Sequence, residues 1–127
     1  MAAVQSPIPL LERVQSFTAA AAIDETGVLV EIDSNGEVKE ATGATAAIIG
    51  VAMETCALGA KVPIYGEFYY GRAGDAVSAG AFLTGEAGGR LVTTTTAGNS
   101  VVGVACPKGG SAANGDLFRV AALTSRY

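Results

Sequence analysis

An internal repeat is the feature that most constrains how this chain can fold. When the sequence is shifted by 53 residues, glycine and apolar positions of the first half fall on glycine and apolar positions of the second half without a gap. The identities pair Gly27 with Gly80, Gly36 with Gly89, Thr42 with Thr95, and residues 50–52 with 103–105. After a three-residue insertion, residues 59–64 correspond to 115–120. Units of about 40 residues are too small to enclose separate cores, so we expect both in one domain.

The order of strand and turn signals predicts an all-β fold. Residues 28–32 are typical of a strand, Asp33-Ser34-Asn35-Gly36 of a turn, and residues 37–40 of the returning strand. The Asn-Gly pair is expected to supply the positive φ angles of a tight hairpin. We therefore predict a small pseudo-symmetric β-barrel or sandwich, with repeat units at about 22–66 and 75–122. Within each unit, the glycine of the Gly-Val-Ala strand is expected to mark a bulge or a close backbone approach.

The composition disfavours several classes of partner. Of 127 residues, 8 are Lys or Arg and 12 are Asp or Glu, so the net charge is -4 and only 16% of residues are charged. A groove for nucleic acid or a patch for an anionic membrane needs a denser set of cations. The 24 Ala and 17 Gly residues leave few large side chains for a thick core, which favours burial shared with other subunits.

No sequence motif predicts a catalytic, cofactor or metal site. The chain has no His, which excludes Ser-His, Cys-His and His-metal chemistry. The carboxylates Glu31, Asp33, Glu37 and Glu40 are interpreted as a solvated hairpin edge. An enzyme that uses Glu31, Asp33 and Glu37 is the least favoured hypothesis. Residues 108–111 lack the order of a phosphate-binding loop. We predict no small-molecule substrate.

The two cysteines and the lack of a membrane span suggest an intracellular origin. Cys56 and Cys106 match no zinc spacing and are too few for a disulfide scaffold, so both are expected to be buried free thiols. No apolar run reaches the roughly 18 residues that a membrane-spanning helix needs. We therefore expect cytoplasmic synthesis without export.

The first 16 residues differ from the rest and predict an extended N-terminal arm before a single domain at 17–127. Two prolines fix φ and remove amide donors, so this segment cannot begin as a helix. A strand over residues 13–18 is favoured over a helix because its residues are poor helix formers. The apolar content of the arm argues against simple fraying. The candidate contact residues in it are Val4, Pro7, Ile8, Pro9, Leu10 and Leu11.

Four of the eight aromatic residues lie between the two units, in residues 65–71. If this segment is a strand, alternation places Phe68 and Tyr70 on one face and Glu67 and Tyr69 on the other. Core packing, a subunit interface and sugar stacking remain open for this cluster. We take Phe68, Tyr69 and Tyr70 as subunit-interface candidates.

The residue pattern of these segments resembles that of small bacteriophage capsid decoration proteins of the lambda type, also called head cement proteins. The resemblance runs from Phe17-Thr18-Ala19-Ala20 through residues 23–30, and continues in residues 49–52, 62–66, 102–105 and 115–120. It covers roughly residues 13–123 and depends on Gly, Ala and β-branched residues. The resemblance implies a β-tulip-like, non-enzymatic homotrimer on the outer capsid surface of the virion, with the arm against the shell.

The function expected from the resemblance is stabilisation of the expanded phage head. The protein would bind the major capsid protein and bridge neighbouring capsomers. A charge-poor surface suits close packing, and an extended arm can add a strand to an exposed sheet edge. The alternative hypothesis is a small β-barrel binding module that recognises a sugar or peptide through residues 65–70.

Overall fold

The computed structural model describes residues 14–123, and these residues form strands with one short 3-10 turn at Lys108–Gly110, which confirms the all-β class. The strands are β1 (Val14–Thr18), β2 (Val28–Ile32), β3 (Val38–Glu40), β4 (Ile48–Ala52), β5 (Lys61–Tyr65), β6 (Tyr70–Arg72), β7 (Val77–Ser78), β8 (Phe82–Gly85), β9 (Leu91–Thr93), β10 (Gly103–Ala105), β11 (Ser111–Ala112) and β12 (Leu117–Ala122). Strand β1 lies where the sequence favoured a strand. The arm boundary drawn at residue 16 therefore falls inside β1.

Ten of the strands form two antiparallel five-stranded sheets with the same internal order, and β7 pairs with β11 in a separate two-stranded sheet. Sheet 1 has the order β1-β5-β4-β2-β3 and sheet 2 has the order β6-β12-β10-β8-β9. The 53-residue shift carries β3 onto β9 and places β2 and β4 over β8 and β10. Strand β5 corresponds to β12 after the insertion, and the Lys108–Gly110 turn lies in the stretch where the insertion falls. The repeated sequence therefore encodes two sheets of one topology.

Each sheet is rolled until its two edge strands approach each other. In sheet 1, a single parallel bridge joins Ala19, just after β1, to Val38 in β3. In sheet 2, the equivalent bridge joins Ala73, just after β6, to Leu91 in β9. Only one bridge closes each roll among residues 14–123, so neither sheet forms a continuous barrel ladder.

The β2–β3 hairpin forms where the sequence predicts it, but its turn is wider than a two-residue Asn-Gly turn. The side chain of Asp33 accepts hydrogen bonds from the backbone amides of Asn35 (2.8 Å) and Glu37 (3.0 Å). Gly36 has a φ of +78°, and no non-glycine residue of the described chain has a positive φ. The prediction that Asn35 also takes a positive φ is wrong, because the Asp33 side chain closes the turn instead.

The glycines of the two Gly-Val-Ala strands lie at close backbone approaches, as expected. A Cβ atom on Gly50 would collide with the backbone of Tyr65 in β5, and the β2–β4 register shifts by one residue next to this position. A Cβ atom on Gly103 would lie 2.8 Å from the carbonyl oxygen of Ala121 in β12. Any larger residue at these positions would push adjacent strands apart.

Two hydrophobic clusters form the core. The first fills the roll of sheet 1 and contains Ala19, Ile23, Val28, Val30, Val38, Ala52, Val62 and Ile64. The second belongs mainly to sheet 2 and includes Phe68, Val77, Leu83, Leu91, Val102, Phe118 and Val120. Leu29 and Val51 of sheet 1 also belong to this second cluster. Strands β2 and β4 are therefore buried on both faces, and sheet 1 packs with its outer face against sheet 2.

Candidate functional site

The aromatic segment between the sheets is mostly a connection rather than a strand. Only Tyr70 of the aromatic run 68–70 belongs to a strand, where it begins β6. Phe68 is 4% exposed and packs in the core, whereas Tyr69 is 60% and Tyr70 is 45% exposed. The predicted alternation, with Phe68 and Tyr70 on one face, is wrong because the chain turns between β5 and β6. Phe68 is a core residue, and the two tyrosines are available for contact.

An apolar groove of about 420 Å³ lies beside these tyrosines. Its lining residues come from β1, β5, the loop after β4, the connection between the sheets and the start of β6: Val14, Met53, Tyr65, Glu67, Phe68, Tyr69 and Tyr70. Val14 and Tyr65 are opposite each other in the β1–β5 ladder, which fixes one wall of the groove. A groove of this size with several aromatic rings can hold an apolar segment or stack a flat ligand face.

The groove lies at the point where the predicted arm joins the described chain. Val14 lines the groove and is the first residue that the structure describes. The candidate arm contacts Val4, Pro7, Ile8, Pro9, Leu10 and Leu11 lie outside the described residues. Residues 1–13 precede this lining residue in the sequence.

Three of the four carboxylates of the first hairpin, Glu31, Asp33 and Glu40, serve separate local roles. Glu31 accepts hydrogen bonds from both the amide and the hydroxyl of Thr42, each at 2.8 Å. Glu40 accepts a hydrogen bond from the amide of Asp24 at 3.3 Å, and Asp33 closes the turn. Within residues 14–123, no group of three or more His, Cys, Asp or Glu residues is arranged to hold a metal ion. These carboxylates brace the hairpin and its neighbouring loop.

A polar cluster across the contact between the sheets was missed from the sequence. Arg90, in the turn between β8 and β9, donates two hydrogen bonds to the carboxylate of Glu25 and a third to the side chain of Asn114 at 3.0 Å. Arg72 donates to the carbonyl (3.1 Å) and hydroxyl (2.8 Å) oxygens of Thr26. These partners are 24 to 65 residues apart, so no short-range spacing indicates them.

The ion pair shifts the titration of both of its members. Hydrogen bonds from Arg90 lower the pKa of the Glu25 carboxyl below its ordinary value, with a smaller Coulombic contribution from the same guanidinium. The hydrogen-bonded carboxylate in turn raises the pKa of Arg90. The pair therefore favours the charged forms that join the two sheets.

The two cysteines are free, but they are not both buried as expected. Cys56 is half-buried, and its backbone bridges Ile23 near the edge of sheet 1. Cys106 is exposed after β10. In the described part of the chain, no helix is long and apolar enough to cross a membrane.

The fold is similar to that of a solved phage protein. The structure of the head fiber gp8.5 N base in bacteriophage phi29 matches with a TM-score of 0.67 and 23% sequence identity. The match covers 90% of this chain and 98% of that chain, so it includes both sheets. At this identity the likeness establishes a shared fold. No protein-family model and no curated protein matches the chain.

Proposed function

We propose that this chain is a structural protein of a phage head that decorates the outer capsid surface. The observation that carries the proposal is the likeness, over 90% of the chain, to the base of a phage head fiber. The sequence resemblance to lambda-type decoration proteins supports the same location. The head fiber base is a different class of head protein, so the resemblance and the fold agree on the phage head and differ on the family.

The groove and the arm together form the proposed capsid-binding surface. Tyr69 and Tyr70 expose large aromatic side chains beside Val14, from which the arm continues. An extended arm with apolar residues can pair with an exposed strand of the major capsid protein while the tyrosines contact its surface. Aromatic residues are typical of such interface centres.

The proposed protein stabilises the expanded shell by bridging neighbouring capsomers. As a homotrimer it would present three arms, and each arm after the first would bind at a high effective concentration. Avidity of this kind can raise the binding constant by about 100-fold or more without a new contact. We expect synthesis in the host cytoplasm and assembly on the outside of the virion, with no cofactor and no enzymatic step.

Deletion of residues 1–13 tests the arm directly. The deletion stops before Val14 so that the β1–β5 ladder stays complete. The affinity for expanded capsids, measured by cosedimentation, should fall at least tenfold. This corresponds to a loss of about 1.4 kcal/mol in binding free energy. A control chain of full length, with Gly or Ser at the six candidate arm contacts, should bind as weakly as the deletion. If the truncated protein is folded and binds as well as the full chain, the arm mechanism is wrong.

The groove itself favours a second candidate function, recognition of a sugar or peptide. This function predicts that a ligand raises the melting temperature of the full chain, and that Tyr69→Ala with Tyr70→Ala removes the shift. Screening glycans and apolar peptides by thermal denaturation measures it directly. Absence of any shift, combined with tight capsid binding, would leave the capsid role alone.

A further inference from the structure

Leu29 and Phe82 occupy equivalent positions of the two sheets but have different environments. In each sheet, the carbonyl oxygen of this residue accepts a hydrogen bond of 2.9 Å from the amide of an equivalent residue, Ala41 for Leu29 and Thr94 for Phe82. Leu29 is fully buried against sheet 2, with its Cδ1 close to Gly85. Phe82 is 56% exposed. The position through which sheet 1 packs against sheet 2 is therefore exposed in sheet 2.

The turn that covers Leu29 also has an uncovered equivalent. Gly89, in the β8–β9 turn, accepts a hydrogen bond of 2.7 Å from the amide of Leu29. A Cβ atom on Gly89 would lie 2.5 Å from the Leu29 carbonyl oxygen. The equivalent glycine, Gly36 in the β2–β3 turn, has a similar φ (+78° against +83°) and no atom within 4 Å of its Cβ position. The chain therefore exposes both parts of a second contact of this kind, the surface at Phe82 and the turn at Gly36.

A second pair of equivalent glycines lies in the surface itself and differs in the same sense as Leu29 and Phe82. Gly27, at the start of β2, is covered by sheet 2: a Cβ atom there would lie 2.5 Å from Leu117 Cδ1 and 3.2 Å from the Arg72 amide nitrogen. Its equivalent, Gly80, has almost the same φ (+86° against +82°) and nothing within 4 Å. Leu29 and Gly27 are therefore covered in sheet 1, whereas their equivalents Phe82 and Gly80 are open in sheet 2.

We infer that a second copy of this chain binds here, with its Gly36 turn on the Phe82 surface, and repeats between chains the contact that joins the two sheets within a chain. The occupant is identified by the chain itself, because sheet 2 already fills the equivalent surface of sheet 1. The interface is head-to-tail, since the turn and the surface that it covers lie on different sheets. The inference names the contact that would build the oligomer of the proposed function, but it depends only on the repeat.

The contact between chains would differ from the one within a chain in its polar residues. The 53-residue shift carries Glu25 to Ser78 and Arg90 to Glu37. The ion pair that joins the sheets is therefore replaced by a hydroxyl facing a carboxylate, which can form a hydrogen bond without an opposite charge. A contact held mainly by apolar packing should depend little on salt concentration.

Such a head-to-tail contact closes into a ring when the rotation between neighbours permits it, and otherwise extends into a filament. A ring of three chains would contain six sheets. Around the ring, a contact between two sheets of one chain would alternate with a contact between sheets of neighbouring chains. Every Phe82 surface in a closed ring is covered by a neighbour's turn. The arms and tyrosines would then be repeated around one axis.

Phe82→Asp tests the open surface in solution without any capsid. Sedimentation equilibrium of the full chain should show an oligomer, and the variant should associate at least tenfold more weakly. Leu58→Asp is the matched control, because Leu58 is 70% exposed and its equivalent, Asn114, stays exposed and polar beside the contact between the sheets. The control should associate like the unmodified chain.

Gly36→Ala tests the other half of the contact with a single methyl group. By equivalence with Gly89, this methyl would collide with the carbonyl of Phe82 in the neighbouring chain. Gly59→Ala is the control, because Gly59 also has a positive φ (+85°), and its equivalent Gly115 has open space at the Cβ position. Each substitution strains one exposed turn. If the two variants have equal melting temperatures but associate to different extents, the difference is due to the contact between chains.

Mixing the two interface variants tests whether the turn of one chain binds the surface of another. The Phe82→Asp chain keeps its turn and the Gly36→Ala chain keeps its surface, so native mass spectrometry of the mixture should show one heterodimer and no larger species. A monomeric unmodified chain, undisturbed association of both variants, or a mixture without a heterodimer each overturns the inference. Capsid binding by a chain that stays monomeric would overturn the inference and leave the proposed function standing.

Discussion

Arg90 of sheet 2 binds Glu25 of the segment before β2 through two nitrogens, with Nε 2.9 Å and Nη2 2.5 Å from the carboxylate oxygens. The pair joins two sheets that the sequence repeat makes nearly equivalent. The contact is bidentate, and this geometry fixes the orientation of the two side chains as well as their distance. The repeat does not reproduce it, so it contributes to the asymmetry between the sheets.

Replacement of Arg90 by Ala should lower the free energy of unfolding by about 1 kcal/mol, near the upper end for a partly exposed pair. The loss also removes the hydrogen bond to Asn114. Urea denaturation measures the change. Lys39→Ala is the control and should have almost no effect, because Lys39 lies 3.9 Å from Glu31 and is more exposed. Equal effects of the two substitutions would contradict the assigned role of Arg90.

The same pair gives a pH dependence whose sign follows from the lowered pKa of Glu25. Because the folded carboxyl has a pKa below its ordinary value of 4.5, its contribution to stability is present above that value and disappears as the pH falls through the lowered pKa. The stability difference between the unmodified chain and Glu25→Gln should be constant near neutral pH and vanish in acid. A difference that persists at the lowest pH would mean that charge is not its cause.

Gly89→Ala should destabilise the monomer far more than Gly88→Ala. Both glycines have positive φ values, +83° and +91°, so both substitutions carry a conformational cost of about 1 kcal/mol. Only the methyl group at Gly89 meets the backbone of β2, whereas Gly88 has open space. We expect a further loss of about 1–3 kcal/mol for Gly89, measured by chemical denaturation. Similar losses at both positions would place the β8–β9 turn away from β2.

Leu29→Ala and Phe82→Ala form a pair that the repeat makes equivalent. Truncation of the fully buried Leu29 removes packing between the sheets and should cost about 2–5 kcal/mol. Truncation of the exposed Phe82 should change the stability of the monomer by less than about 0.5 kcal/mol. Denaturation at high dilution makes the comparison. A large monomer effect at Phe82 would show that sheet 2 is covered by its own chain.

The repeat and the turn signals were sufficient to predict the all-β class and the doubled strand order. They succeed because β-branched runs and glycines at fixed offsets determine strands and turns locally. The Asp33 turn was located correctly, but its width depends on a side chain that accepts two amides, which the Asn-Gly rule does not include.

The repeat and the turn signals do not predict that Leu29 is buried and Phe82 exposed. Both are large apolar residues in equivalent strands, and only the packing of one sheet against the other decides which is buried. The predicted alternation of the aromatic residues was wrong for a related reason. Treating residues 65–71 as a strand ignores the turn that leads the chain to sheet 2. Arg90 and Glu25 are 65 residues apart, so their contact exists only in the folded chain.

The most direct test of the proposed function is cryo-electron microscopy of expanded capsids, built from the major capsid protein of the same genome, before and after addition of this protein. The proposal predicts new density on the outer surface at fixed lattice positions, into which the two-sheet fold fits with its aromatic groove towards the shell. Bare capsids at saturating protein concentration, or density confined to the interior, would contradict it.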